Sequence, residues 1–259
     1  MAKSYINVTV TDYETLALAR EVTFIDVDIV RRVFYNSHNL PDYGRKKLTM
    51  LEKDGLLKGW MIPGQKKLYT LTKQGGQFLK MVSDDIPGKY FKPDFSKDMI
   101  FTSRINPPAI THTRKLIDLF LSLRAYNFFD SVFIFDHLQG KDTYTQNRPD
   151  LYLSKGGHSI YLEYENSSKT PQSYYDRFQN FFKDTPGLVL VLYVCSEAWI
   201  TERILRYISE FRAGTHAHKF KEQEIRESER LYIGTPAMTF KNCLDKTLTI
   251  QQVIEKMAK

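Results

Sequence analysis

The chain has 259 residues, 42% of them apolar, with a formal charge of +7 and a pI near 9.1. Two cysteines, Cys195 and Cys243, are too few for a Cys-rich zinc site or a disulfide framework. The longest apolar run, Leu188 to Cys195, is too short to span a bilayer, so the expectation is a cytoplasmic protein of one large or two modest domains with no membrane partner.

Hydrophobic periodicity predicts three helices at the start. Asp12 is expected to cap the first, with Tyr13, Leu16, Ala17 and Ala19 inward, and Asp26 the second, with Val27, Ile29, Val30, Val33 and Phe34 inward. After a break at 36–41, a third runs to Asp54 with Tyr43, Leu48 and Leu51 inward, and Gly55 ends it. Leu57 to Ile62 and Lys67 to Leu71 read as strands around Pro63-Gly64-Gln65, and a helix follows from Thr72 to about Val82. Three helices and a hairpin make a winged helix-turn-helix over 1–85. Between Asp42 and Lys73 stand eight Lys or Arg against three acids. In such a domain the third helix enters the major groove and the wing touches phosphates. Asn39, Tyr43, Arg45, Lys46 and Lys47 are then candidate DNA contacts, with Lys66 and Lys67 on the wing. Protein docking is the other use of such a domain.

Residues 86–109, with Pro87, Pro93 and Asn106-Pro107-Pro108, read as a linker to a second domain over 110–259. There the pattern predicts a helix over 110–126, strands at 131–137, 150–153 and 159–165, a helix over 172–182, a continuous apolar strand at 188–194, a helix over 197–211 and a last strand at 231–233. The run 188–194 fits a strand covered on both faces. Lys155-Gly156-Gly157-His158 suits a hairpin that folds Asp150 back beside Glu163. Alternation puts Glu163 and Glu165 on one face. Three acids at one sheet edge repel unless a cation sits among them, and a hard divalent ion, Mg²⁺ or Mn²⁺, is the expected answer.

The order helix, three strands, helix, strand, with Arg148-Pro149-Asp150 and Leu162-Glu163-Tyr164-Glu165 on its second and third strands, resembles the PD-(D/E)xK nuclease superfamily. With the basic winged helix it is similar to the replication-relaxation family and to MobC-type relaxases of mobilisable plasmids. The resemblance covers roughly 12–235 and rests on short motifs. It implies that Asp150 and Glu163 bind metal, that the chain nicks duplex or single-stranded DNA at a plasmid origin, and that other mobilisation proteins or a second copy are partners. Glu165 stands where the superfamily usually has a lysine. Lys169 is the first candidate for a migrated cation, ahead of Arg148, Lys155 and Lys141, and a second metal bound by Glu165 is another answer. The competing readings are a non-catalytic DNA-binding regulator or relaxosome accessory protein with an inactive nuclease-like domain, and a protein-interaction module.

Other residues weigh less. His216-Ala217-His218 matches a His-hydrophobic-His pattern, but its polar surroundings read as a solvated loop. Tyr174 and Tyr175 are candidate nucleophiles in a chain with 16 tyrosines. Phe178, Phe181 and Phe182 fit a core, Arg177 a phosphate or carboxylate clamp, and His112 a local hydrogen-bonding role.

Overall fold

The computed structural model describes residues 8–35, 41–86, 91, 93, 95, 98–99, 105–125, 129–134, 138–139, 149–183, 188–237 and 239–257. The fold is mixed α/β and divides into two compact units, Met1–Ile110 with His137–Gly140, and Thr111–Asp136 with Lys141–Lys259.

The first unit opens with α1 (Val10–Glu21), α2 (Val27–Phe34) and α3 (Pro41–Lys53). Asp26 caps α2, accepting from the backbone of Asp28 and Ile29 at 3.0 and 2.9 Å. Asp12 does not cap α1. Thr9 is the cap, and Asp12 sits one turn inside, its carboxylate taking the Thr9 N–H at 2.9 Å while the Thr9 hydroxyl accepts from Asp12 N at 3.3 Å. This is a capping box, in which the acid belongs three residues after the hydroxyl. Leu48 and Leu51 of α3 are fully buried, but Tyr43, expected inward, is exposed, its ring edge-on to Tyr35 at 5.1 Å. β1 (Leu57–Trp60) and β2 (Leu68–Leu71) form an antiparallel hairpin, and Thr72 caps α4 (Lys73–Val82) through Gly75 N at 2.9 Å.

Part of the stretch read as a linker is packed. Phe91 is buried against Phe34, its N–H donating to Glu14 at 2.9 Å, and β3 (Asp98–Met99) pairs with Leu138–Gln139. Such pairing crosses long sequence separation and leaves no local periodicity.

The second unit is built on α5 (Ile110–Ala125) and a seven-stranded mixed sheet. β4 (Ser131–Ile134) precedes β5 (Leu138–Gln139), the partner of β3. Then come β6 (Leu151–Lys155), β7 (His158–Glu165), α6 (Pro171–Lys183), β8 (Leu188–Cys195), α7 (Ala198–Ala213), α8 (Glu222–Glu227), β9 (Leu231–Gly234), β10 (Thr239–Lys241), β11 (Thr247–Thr249) and α9 (Ile250–Met257). The sheet order is β11-β10-β9-β8-β7-β6-β4, with β7, β8 and β9 parallel and the other neighbours antiparallel. Gly156 and Gly157, both at positive φ, close the β6–β7 hairpin as its two-residue turn requires.

One face of the sheet carries Tyr161, Val191, Tyr193, Leu231 and Ile233, packed against Tyr174, Phe178 and Phe181 of α6 and Ile204, Ile208 and Phe211 of α7. Coverage on both faces is why β8 is a continuous apolar run. No helix of the described residues is long and apolar enough to cross a membrane.

Candidate functional site

The acid edge forms where β6 begins and β7 ends. The register Leu151↔Leu162 is the last pair of that ladder, which places Asp150 next to Glu163. Beyond it, the Tyr164 N–H and C=O on the β6 side have no strand to meet, and buried backbone groups need partners. Side chains supply them. Asp150 Oδ2 accepts the Tyr164 N–H at 2.7 Å, and His112 Nε2 lies 3.3 Å from the Tyr164 carbonyl and 3.6 Å from Asp150 Oδ2. A carbonyl only accepts, so the proton is on Nε2. Asp150 holds His112 above the usual histidine range, against the opposing effect of burial. Periodicity placed His112 on a helix but could not show it facing the end of a ladder two strands away. The proximity of Asp150 and Glu163 through the hairpin was the only signal for it.

The two glutamates lie on the sheet face of Tyr161 and Tyr193, toward the aromatic core, and both are buried. Arg177 of α6 donates to Glu163 Oε1 at 2.7 Å, and Lys169 Nζ reaches Glu165 Oε2 at 2.5 Å. Burial and the adjacent Asp150 charge push the Glu163 carboxyl up to about 8, with Arg177 pulling the other way. Lys169 thus stands beside Glu165, while Arg177 is spent on Glu163. Lys155 is paired with Asp130 at 3.1 Å, and Arg148 and Lys141 lie outside the described residues. Tyr174 is buried, its hydroxyl accepting from Lys169 N at 3.3 Å and its pKa raised by that burial, which is the wrong direction for a nucleophile. The Tyr193 hydroxyl, next to Glu163 across the β7–β8 pairing, is buried with no hydrogen-bond partner among the described residues.

This arrangement does not fit a ready-made divalent-ion cage. Among the described residues no three His, Cys, Asp or Glu side chains are grouped to hold a metal. Asp150 meets a backbone N–H and His112, and each glutamate meets a cation. A cavity of about 510 Å³ opens at the carboxyl ends of β7, β8 and β9, with Tyr164, Ser196, Glu197, Lys115 and Asp118 in its wall.

His216 and His218 occupy a loop, as expected. The His218 N–H donates to His216 Nδ1 at 3.1 Å, and the rings pack in a row with Tyr175.

In the first unit the candidate contacts separate. Arg45 and Lys46 are exposed on α3. Lys47 turns inward to the buried Asp12 at 2.9 Å, so it serves the fold rather than a surface. On the hairpin, Lys66 pairs with Asp28 at 2.5 Å and Lys67 with Glu52 at 2.6 Å. Asn39 lies outside the described residues.

Searches against protein-family models, curated proteins and solved structures found no match.

Proposed function

We propose that this is a site-specific DNA-binding protein of plasmid mobilisation or replication. Its first unit acts as a winged helix, and its second is a restriction-endonuclease-like αβββαβ domain. The observation that carries this reading is α3, which keeps Leu48 and Leu51 in the core and holds Arg45 and Lys46 out to solvent. A positive, outward helix face backed by a packed core suits a major groove. The setting and the partners, duplex DNA and other mobilisation proteins, come from the resemblance of the RPD and LE-x-E motifs. The test is a duplex selected from a random library, titrated by fluorescence anisotropy against salt. Arg45→Ala/Lys46→Ala should bind more weakly at every salt concentration and lower the salt slope by roughly 1.8, about 0.9 for each phosphate no longer neutralised. An unchanged slope removes α3 from the interface.

DNA nicking is the second reading, favoured by the repulsion between Asp150 and the buried Glu163. Arg177 and Lys169 are already placed to accept a phosphate, and Mg²⁺ or Mn²⁺ would have to displace them from the glutamates. Nicking of a supercoiled plasmid bearing the selected site, lost in Asp150→Asn and Glu163→Gln, would support it. Nicking that persists in both variants places the chemistry elsewhere, and no nicking with either metal leaves the regulator.

A further inference from the structure

The cavity of about 510 Å³ in the second unit has the size of a small-molecule site. Its place follows from the strand directions. β7, β8 and β9 run parallel, and a parallel sheet opens its crevice where the strands end. Alternation turns Tyr164 away from the face of Glu163 and Glu165, and its side chain stands in the cavity wall with α5. Asp150 and His112, holding the Tyr164 backbone, fix where that ring stands. Tyr164 is 7% exposed, yet its hydroxyl meets no hydrogen-bond partner among the described residues. A nearly buried hydroxyl left unpaired costs free energy, so this one is suited to a polar ligand. Two charged groups of the same wall are also unspent. Glu197 stands at the N-cap of α7, but its carboxylate caps nothing and pairs with nothing among the described residues. Lys115 of α5 is exposed and likewise unpaired among the described residues. Asp118, one turn along α5, adds a second negative charge. Burial, then Glu197, then Asp118 raise the Tyr164 hydroxyl above its ordinary pKa, which puts both carboxylates near it. Leu119 and Pro236 supply apolar wall.

We propose that this cavity binds a free α-amino acid with an apolar side chain. The ligand's ammonium meets the Glu197 carboxylate and the Tyr164 hydroxyl, its carboxylate meets Lys115, and its side chain lies against Leu119 and Pro236. Charge-assisted hydrogen bonds of this kind are the strong ones, and they fix the ligand's orientation. A plain amine would leave Lys115 facing a like charge, and a plain acid would face Glu197 and Asp118. A ligand carrying both signs answers both sides of the wall. The site lies within the second unit and stands whether or not the first binds DNA.

The test is calorimetry and thermal melting of the full chain with L-leucine, L-methionine and L-phenylalanine. Each is compared with its decarboxylated amine and its N-acetyl derivative, which lack one of the two charges. At about 10 mM, at least one of the three should give saturable heat and raise the melting midpoint, since a ligand of the folded state stabilises it. Glu197→Gln and Lys115→Met should each weaken that binding about tenfold or more, and Tyr164→Phe a few-fold. Glu197 and Lys115 are exposed and unpaired among the described residues, so those two variants should melt like wild type when no ligand is added. Binding undiminished in both of them puts the ligand elsewhere and overturns the site. Equal affinity for the matching amine or N-acetyl derivative overturns the choice of a ligand with both charges. Neither heat nor a midpoint shift with any of the three amino acids overturns the proposal outright.

Discussion

The two units handle charge in opposite ways. In the first, Lys66–Asp28 leaves both partners largely in water, and Lys67–Glu52 leaves each about a third exposed. In the second, Glu163 and Glu165 are 6% and 3% exposed, and their cations reach in from α6 and the loop before it. An exposed pair contributes about 0–1 kcal/mol, so opening it costs the fold little. A buried pair that loses one partner costs roughly 3–5 kcal/mol, because the remaining charge has no water. The first unit is therefore electrostatically open to a polyanion. The second is committed, and any chemistry at Glu165 or Glu163 begins with a cation leaving. Lys169, 45% exposed, is better placed to leave than Arg177, 33% exposed and held along α6.

The largest effect should come from breaking the buried pair. Arg177→Met leaves Glu163 alone in the core and should cost roughly 3 kcal/mol in urea unfolding at a pH where Glu163 is charged. Glu163→Gln added to it should restore much of that loss. A single variant as stable as wild type would mean that Glu163 takes up a proton or meets water once Arg177 is gone, so that its charge does not depend on the pair.

Asp150→Ala comes next. It strips the partner from the Tyr164 N–H and should cost about 1–3 kcal/mol, with Asp150→Asn losing less because its amide oxygen still accepts. Loss of nicking in Asp150→Asn at full stability would make Asp150 more than an end-clamp for the sheet.

The third prediction is a pH dependence. Glu163 in the fold is raised to about 8, above an unfolded carboxylate at about 4.3. A raised pKa contributes stability that is complete below the unfolded value and lost as pH rises through the folded one. Wild type should therefore lose stability relative to Glu163→Gln as pH rises from about 5 to about 8. A flat difference across that window shows Glu163 ionised throughout.

Much of this contrast was legible in the sequence, because its carriers are local. Strand alternation placed Glu163 and Glu165 on one face, and Gly156-Gly157 turned Asp150 back toward them. Spacing from Glu165 brought up Lys169, and Arg177 read as a carboxylate clamp. Partners that depend on tertiary approach were not legible. Lys47 looks like any basic residue on α3 until α1 brings Asp12 beneath it, and Lys67 gives no hint of Glu52. His112 reads only as a local hydrogen-bonding residue, because the unfilled ladder position it serves exists only where β7 runs past the start of β6. The short β10 and β11 and the helices α8 and α9 were missed for a related reason. Three residues of strand, or the six and eight of these two helices, carry little periodicity to read.

The smallest effect should be at the histidine loop, and it sharpens the comparison from outside. His216 accepts the His218 N–H through Nδ1. Its ring lies 5.3 Å from Phe211 edge-on and 5.1 Å from His218. Removing it gives up a loop hydrogen bond and partly exposed ring packing that together contribute about 1 kcal/mol. His216→Ala should therefore lower stability by about 1 kcal/mol in urea unfolding. It should leave duplex affinity, its salt slope and any nicking unchanged. These histidines serve the aromatic packing between α6 and α7, on neither the cationic face of α3 nor the acid edge. Nicking abolished in His216→Ala with stability intact would move the active site to this loop and leave the Glu163 and Glu165 pairs purely structural.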